Sequence, residues 1–177
     1  MTSAAVQGAR FWYALHVKSN QEQNTRLFLE DRSVECFLPC YERLALRRGK
    51  RLTLRRPLFS GYLFVHIDLH APERIEILRA PGTVRIVGFG DSPTPVPDEV
   101  IESIRILVGG ASGEALPHPL IREGQKVRVV EGPFCGAVGV LHREPGRKAR
   151  LVVEVEFLGR AVAVPIEPRQ VVPISIE

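Results

Sequence analysis

The stretch VGGASGEALPHPL, residues 108–120, decides how the chain divides. Five of the eleven residues between Val108 and Leu120 are glycine or proline, and few are bulky and apolar. That composition predicts a flexible linker rather than a core element. It separates a first domain, 1–108, from a second, 121–177, with the linker at 109–120. The second piece is short for a self-sufficient core, so it is expected to be a compact barrel burying nearly every alternate side chain.

Downstream of the linker, Lys126–Val130, Ala137–His142, Leu151–Phe157, Ala161–Ile166 and Val171–Ile174 read as short strands. They are divided by GPFCG, EPGRK, LGR and EPRQ. Five strands at this spacing predict a small β-barrel. Pro133, Pro145, Pro165 and Pro168 would each break a helix, and Val152, Val153, Val155, Val162 and Val164 favour strands.

Upstream, FWYALHVK (11–18) alternates, with Tyr13, Leu15 and Val17 on one face and Trp12, Ala14, His16 and Lys18 on the other. Ser19 and Glu22 have the spacing of a capping box, which predicts a helix from about Asn20 to Arg32. Residues 34–47 read as one long strand, Gly49-Lys50 as a turn and 51–56 as the return strand. Tyr62–Leu69 alternates again, placing Tyr62, Phe64, His66 and Asp68 opposite Leu63, Val65, Ile67 and Leu69. A helix is expected from Pro72 to Arg79, a strand over Thr83–Val87, and a last helix from Asp98 to about Val108 after the stiff PTPVP segment. The order βα, ββ, β, α, β, α predicts an α+β class, an antiparallel-leaning sheet with helices on one side.

Composition sets the outer limits. Hydrophobic residues make up 45% and charged residues 25% of the chain, which excludes a disordered tail, a collagen-like repeat and a disulfide-stapled miniprotein. No run reaches the length of a membrane span, and MTSAAVQGARFWY has no charged start followed by an apolar stretch, so neither an anchor nor a leader is expected. Three cysteines without a CxxC fit a reducing cytoplasm. The net charge of +4 permits nucleic-acid contact without demanding it. Its placement says more: residues 43–56, RLALRRGKRLTLRR, hold seven Arg or Lys and no acid. Such a run reads either as a solvated hairpin tip or as a phosphate-contacting arm.

The motifs of catalysis are missing. GFGDS and GGASG lack the Lys-Ser/Thr pair and the strand-to-helix setting of a phosphate loop, and no GxSxG elbow occurs. Cys36 and Cys40 read as core cysteines four apart on one strand face. His66, Asp68 and His70 alternate along a strand, yet a strand spreads such side chains about 6–7 Å apart, so a wet sheet face is the expected reading. No acid sits in a setting that marks a poised proton donor. The chain is read as a non-enzyme with no metal and no cofactor. What remains is an aromatic set, Phe59, Tyr62 and Phe64, either exposed for a partner or covered by another segment of the chain.

The order of motifs resembles the NusG family of transcription elongation factors, from Phe11 to Ile174. Trp12-Tyr13, Phe37-Leu-Pro39, Pro57-Leu-Phe59-Ser-Gly61-Tyr62-Leu-Phe64-Val65, Pro81-Gly-Thr-Val84-Arg-Ile-Val-Gly88 and Pro95-Val-Pro97-Asp98 match the family's NGN domain. Gly124-Gln-Lys-Val127-Arg-Val129, Gly132-Pro-Phe134-Cys-Gly136, Gly139-Val140 and Leu158-Gly159-Arg160 match its five-stranded KOW barrel. The resemblance implies a non-enzymatic role on RNA polymerase, with the NGN domain docked on the clamp helices of the largest subunit. His16, Phe59, Tyr62 and Phe64 fall in the implied docking pocket, flanked by Ile101 and Ile104. Lys18, with Asn20, Gln21 and Asn24 at the helix start, falls where the family meets the non-template DNA strand. Arg47, Arg48, Lys50 and Arg51 of the basic hairpin are candidates for upstream DNA.

In the barrel, Phe134 of the Glu131–Gly139 loop and, more weakly, Gly159 and Arg160 fall where the family binds ribosomal protein S10 or the termination factor Rho. A monomer without membrane contact, cytoplasmic and nucleoid-associated in a bacterium, is implied. Two departures stand out. Ser60 replaces the family's usual proline before Gly-Tyr, and Ala137 replaces the second aromatic of the barrel loop in housekeeping members. Ser60 is expected to loosen the turn and spare the aromatic face, and Ala137 to weaken the contact with S10 or Rho. The long FLPCYERLALRRGKRLTLRRPLF segment and the compact barrel resemble specialised UpxY- and RfaH-type antiterminators more than the general factor. An RNA- or ribosome-associated KOW protein is the reading from another class, in which the aromatics would stack bases.

Overall fold

A computed structural model describes residues 8–70, 72–89, 92–110, 116–119, 124–143, 146–155 and 158–174. Parts of the expected linker (111–115 and 120), of the EPGRK turn (144–145) and of the strand ending at Phe157 (156–157) lie outside the described residues. The chain is mixed α and β, in two compact units.

The first unit holds residues up to Leu38 and Ser60–Pro97. Strands β1 (Phe11–Val17), β2 (Glu35–Phe37), β5 (Tyr62–Ile67) and β6 (Thr83–Ile86) form an antiparallel sheet in the order β2-β5-β1-β6. Helices α1 (Glu22–Glu30) and α2 (Glu73–Arg79) belong to the same unit. Leu15, Val17, Leu63, Val65 and Ile67 of the sheet are buried, as are Leu29 of α1 and Ile77 of α2. At about 25 cal/mol per Å² of apolar surface, each fully buried side chain contributes roughly 1.5–3 kcal/mol. The PTPVP segment, expected only to be stiff, supplies β9 (Pro95–Val96), which pairs with β1 at Tyr13 and Trp12. Before it, β7 (Gly88–Phe89) and β8 (Ser92–Pro93) pair as a small ribbon.

Helix α1 differs from the expected capping box. It begins at Glu22 with Gln21 as its cap, and no side chain caps it. Glu22 is buried, and its Oε1 accepts a 2.8 Å hydrogen bond from the Gly61 N–H. Gly61 has φ +82°, which a side-chain-bearing residue rarely adopts, so glycine is suited to the turn where that amide is presented.

The long strand expected over 34–47 is broken. Cys36 lies in β2 of the first unit and Cys40 opens β3 (Cys40–Arg47) of the second, so the two cysteines do not share a strand face. Pro39 has no N–H to give to a ladder, and its carbonyl accepts from Leu58 N instead, at 2.9 Å.

The second unit holds Pro39–Phe59 and Asp98–Glu177. Strands β3 and β4 (Lys50–Pro57) form a two-stranded hairpin in the register Cys40↔Pro57 to Arg47↔Lys50. Helix α3 spans Asp98–Gly110, two residues beyond the expected end. The barrel strands are β11 (Gln125–Val129), β12 (Val138–His142), β13 (Arg150–Val155), β14 (Arg160–Pro165) and β15 (Val171–Pro173), close to the expected ranges. A sixth strand, β10 (Leu116–Pro119), comes from the stretch read as linker, and the sheet runs β10-β14-β13-β12-β11-β15. Val127, Val129, Leu151, Val153, Val155, Val162 and Val164 are buried.

Candidate binding surfaces

Directly opposed residues of an antiparallel pair share a face. The register therefore places Glu35 and Phe37 of β2, Tyr62, Phe64 and His66 of β5, Trp12, Ala14 and His16 of β1, and Arg85 of β6 on one side of the first unit's sheet. Six rings form a ribbon across three strands. Trp12 stacks on His66 at 4.9 Å and meets Phe37 edge-on at 6.5 Å; Phe37 stacks on Phe64 at 6.2 Å, and His16 on Tyr62 at 5.4 Å. Each such pair contributes about 0.5–1.5 kcal/mol beyond its area. The His66 Nδ1 lies 2.9 Å from Glu35 Oε2, and the Asp68 carboxylate accepts the His70 backbone N–H. Among the described residues no three His, Cys, Asp or Glu side chains converge to hold a metal ion.

The aromatics are less open than an exposed patch would be. His16 and Tyr62 keep intermediate exposure, but Phe64 is 0% and Phe59 1% exposed, and Trp12 is buried. Phe64 stands on a strand paired on both sides, with the Phe37 ring against it. Trp12 and Phe37 are not among the expected docking residues. Trp12 shares His16's strand parity, whereas Phe37 joins the set only through the β2–β5 register.

At the end of β1, Lys18 is exposed and its N–H donates to the Gly82 carbonyl at 2.8 Å. Asn20 turns with φ +64° and is exposed, and Asn24 Nδ2 donates to Gln21 Oε1 at 3.2 Å. The four residues expected to meet the non-template strand therefore sit at one corner of the first unit, where β1 hands over to α1.

The hairpin stands as its own two-stranded sheet. Arg48, Lys50, Arg51, Arg55 and Arg56 are exposed; Arg47 is placed by its backbone, opposite Lys50. Leu44 and Leu46 are each 74% exposed.

Helix α3 lies on β12 and β13. Glu99 pairs with Lys126 (3.6 Å) and Arg128 (3.4 Å), Ser103 Oγ accepts the Val138 N–H at 2.9 Å, and Ile106 approaches Gly136. A Cβ on Gly110 would come within 2.8 Å of the Phe134 ring. These positions fall on one stripe at helical spacing, whereas Ile101 and Ile104 lie on the other side of the helix. Both isoleucines are buried. Phe134, expected to be an apolar tip, is 4% exposed, because the end of α3 lies against it. Gly159 and Arg160 are exposed beside the start of β14.

Among the described residues no helix is long and apolar enough to cross a membrane. The family model described as "Transcription termination factor nusG" matches residues 10–105. The chain is 32% identical to the transcription termination/antitermination protein NusG of Thermus thermophilus, over 91% of this chain and 97% of the relative. It is 28% identical to the protein of that name in Pseudomonas aeruginosa, over 92% and 98%. Its fold is similar to that of Thermotoga maritima NusG, from a structure described as "Domain interaction in Thermotoga maritima NusG". The TM-score is 0.55 at 21% identity, covering 94% of this chain and 98% of the other.

Proposed function

The chain belongs to the NusG family of transcription factors, and on that premise we propose that it is a non-enzymatic elongation and antitermination factor docking on the clamp helices of RNA polymerase. Residues 1–108 serve as the polymerase-binding NGN domain, 109–120 as the connection and 121–177 as the KOW partner-binding module. The observation that carries the reading is the ribbon of six rings across β2, β5 and β1. His16 and Tyr62, which keep open surface, bind polymerase directly; Phe64, Phe59, Ile101 and Ile104 are buried, and each requires its cover to move away before it contributes. The rings with surface left to bury against a partner are Tyr62, Phe37 and His16, each adding stability at about 25 cal/mol per Å² of apolar area covered.

Lys18, Asn20, Gln21 and Asn24 meet the non-template strand, and the basic hairpin approaches upstream DNA. Phe134, Gly159 and Arg160 engage ribosomal protein S10 or Rho. For Phe134 this requires the end of α3 to lift away from the ring. The long basic hairpin and the compact barrel support a specialised paralogue acting on particular operons, and Ala137 weakens the contact with S10 or Rho.

Tyr62→Asp tests the docking face. Tyr62 is only half-buried, so a charge there is expected to leave far-UV circular dichroism unchanged and weaken co-purification with core polymerase at least tenfold. Unchanged co-purification would remove the ring ribbon from the docking face.

A further inference from the structure

Among the described residues, Leu44 and Leu46 of β3 are the most open large apolar side chains, and Leu52 and Leu54 of β4 keep 42% and 37% exposure. The register Leu44↔Thr53 and Leu46↔Arg51 sets two leucines beside a threonine and an arginine on one face of the hairpin. Arg43↔Leu54 and Ala45↔Leu52 set the reverse on the other face. Each face is therefore an apolar row beside a cationic row. Glu42, opposite Arg55, is the one acid between Cys40 and Pro57. Among the described residues no acid pairs with Arg43, Arg48, Lys50 or Arg51.

This pattern selects its occupant. A lipid surface or a core-like protein contact uses a face that is apolar throughout, whereas either face here would carry guanidinium groups into the contact without partners. A polyanion supplies those partners. Single-stranded nucleic acid is held by stacking on aromatic rings, and Tyr41 is the one ring in the hairpin. The major groove of duplex RNA is too narrow for side chains to read. The major groove of B-form DNA is about 12 Å wide and admits a two-stranded ribbon. Alternate side chains of a strand stand about 6–7 Å apart, close to two base-pair steps of about 3.4 Å each.

We propose that the hairpin is a base-reading ribbon, whose face of Leu44, Leu46, Arg51 and Thr53 lies on the floor of the major groove of duplex DNA. Arg51 donates to the N7 and O6 of a guanine, and the two leucines cover the methyl groups of thymines two steps apart. Arg48 and Lys50, at the tip, meet phosphates and position the ribbon. The inference rests on the reading of the hairpin as a DNA contact, and it adds that the contact selects sequence.

The test uses the full chain and labelled duplexes with a randomised centre, the bound fraction being sequenced. Duplexes carrying thymines two steps apart beside a guanine are expected to be enriched at least tenfold. Uracil in place of those thymines removes only the methyl groups, and is expected to weaken binding at least fivefold. For Leu44→Ala with Leu46→Ala the same exchange is expected to make no difference. Both leucines are exposed, so that variant is expected to keep its far-UV circular dichroism. Arg48→Gln is expected to lower the salt dependence and leave the selected sequence unchanged.

No enriched sequence, or an enrichment that the leucine variant retains, would overturn the proposal. Salt-dependent binding that persists without enrichment would sink only the base reading and leave the hairpin as a phosphate contact. Binding indifferent to the hairpin's charges would remove the DNA contact as well. Dimerisation by light scattering that the leucine variant abolishes would also overturn the proposal, since a second copy would then cover these side chains.

Discussion

Glu22 shows how far a single residue can be read from its neighbours. Its spacing from Ser19 correctly announces a helix start, but its partner is the Gly61 amide, 39 residues away. A local pattern cannot display a partner so distant in sequence. Glu22→Ala leaves that amide without an acceptor in a buried place, at a cost of about 1–3 kcal/mol. A urea unfolding midpoint that falls accordingly is expected; an unchanged midpoint would mean that water replaces the carboxylate. Cys36 gives a second test. Burial first, then the Glu30 carboxylate, pushes its thiol up to about 12. The folded state therefore holds this proton more tightly than the unfolded one. Its contribution is fully present below the free-thiol value and is lost as pH rises from about 9 towards 12. At pH 8 the thiolate is scarce, so iodoacetamide is expected to label the exposed Cys135 and spare Cys36. Rapid labelling of Cys36 would contradict its burial.

Among the elements, strands and helices with clear periodicity stand close to where alternation and turn residues put them: β1, β5, α2 and the five barrel strands. The errors cluster where proline is involved. Pro39 splits an expected strand, and prolines 93, 95, 117 and 119 sit in short strands that propensity argues against. These are edge positions, where the missing N–H is tolerated. The basic hairpin is legible in the sequence as a hairpin, but its surroundings are not. Leu44 and Leu46 share a face with Arg51 and Arg55, and Leu52 and Leu54 with Arg43 and Arg56. Neither face is purely apolar, so no core side is specified and the leucines stay largely open. Replacing Arg48, Lys50, Arg51, Arg55 and Arg56 with Gln is expected to flatten the salt dependence of binding to a transcription-bubble scaffold, by about 0.9 in log–log slope for each duplex phosphate no longer neutralised. An unaltered slope would make the hairpin a solvated surface only.

For the whole molecule, composition marks residues 108–120 as a break, but it does not show which neighbours each segment joins, and the second unit runs on both sides of that stretch. Helix α3 and the hairpin group with the barrel, and for the helix the reasons include the Ser103 bond to Val138 and Gly110 beside Phe134. Sequence periodicity shows that a helix has buried faces; it does not say which neighbour each face meets. The same gap hides Phe37 from the aromatic set and the cover over Phe134.

The central claim is that this protein rides on transcribing RNA polymerase. The most direct measurement is a chromosome-wide occupancy map of the tagged chain beside that of polymerase. The account predicts signal that coincides with polymerase and is confined to one or a few long operons. A profile following polymerase over most transcribed genes would contradict the specialised role, and absence from transcribed DNA would contradict the polymerase reading itself.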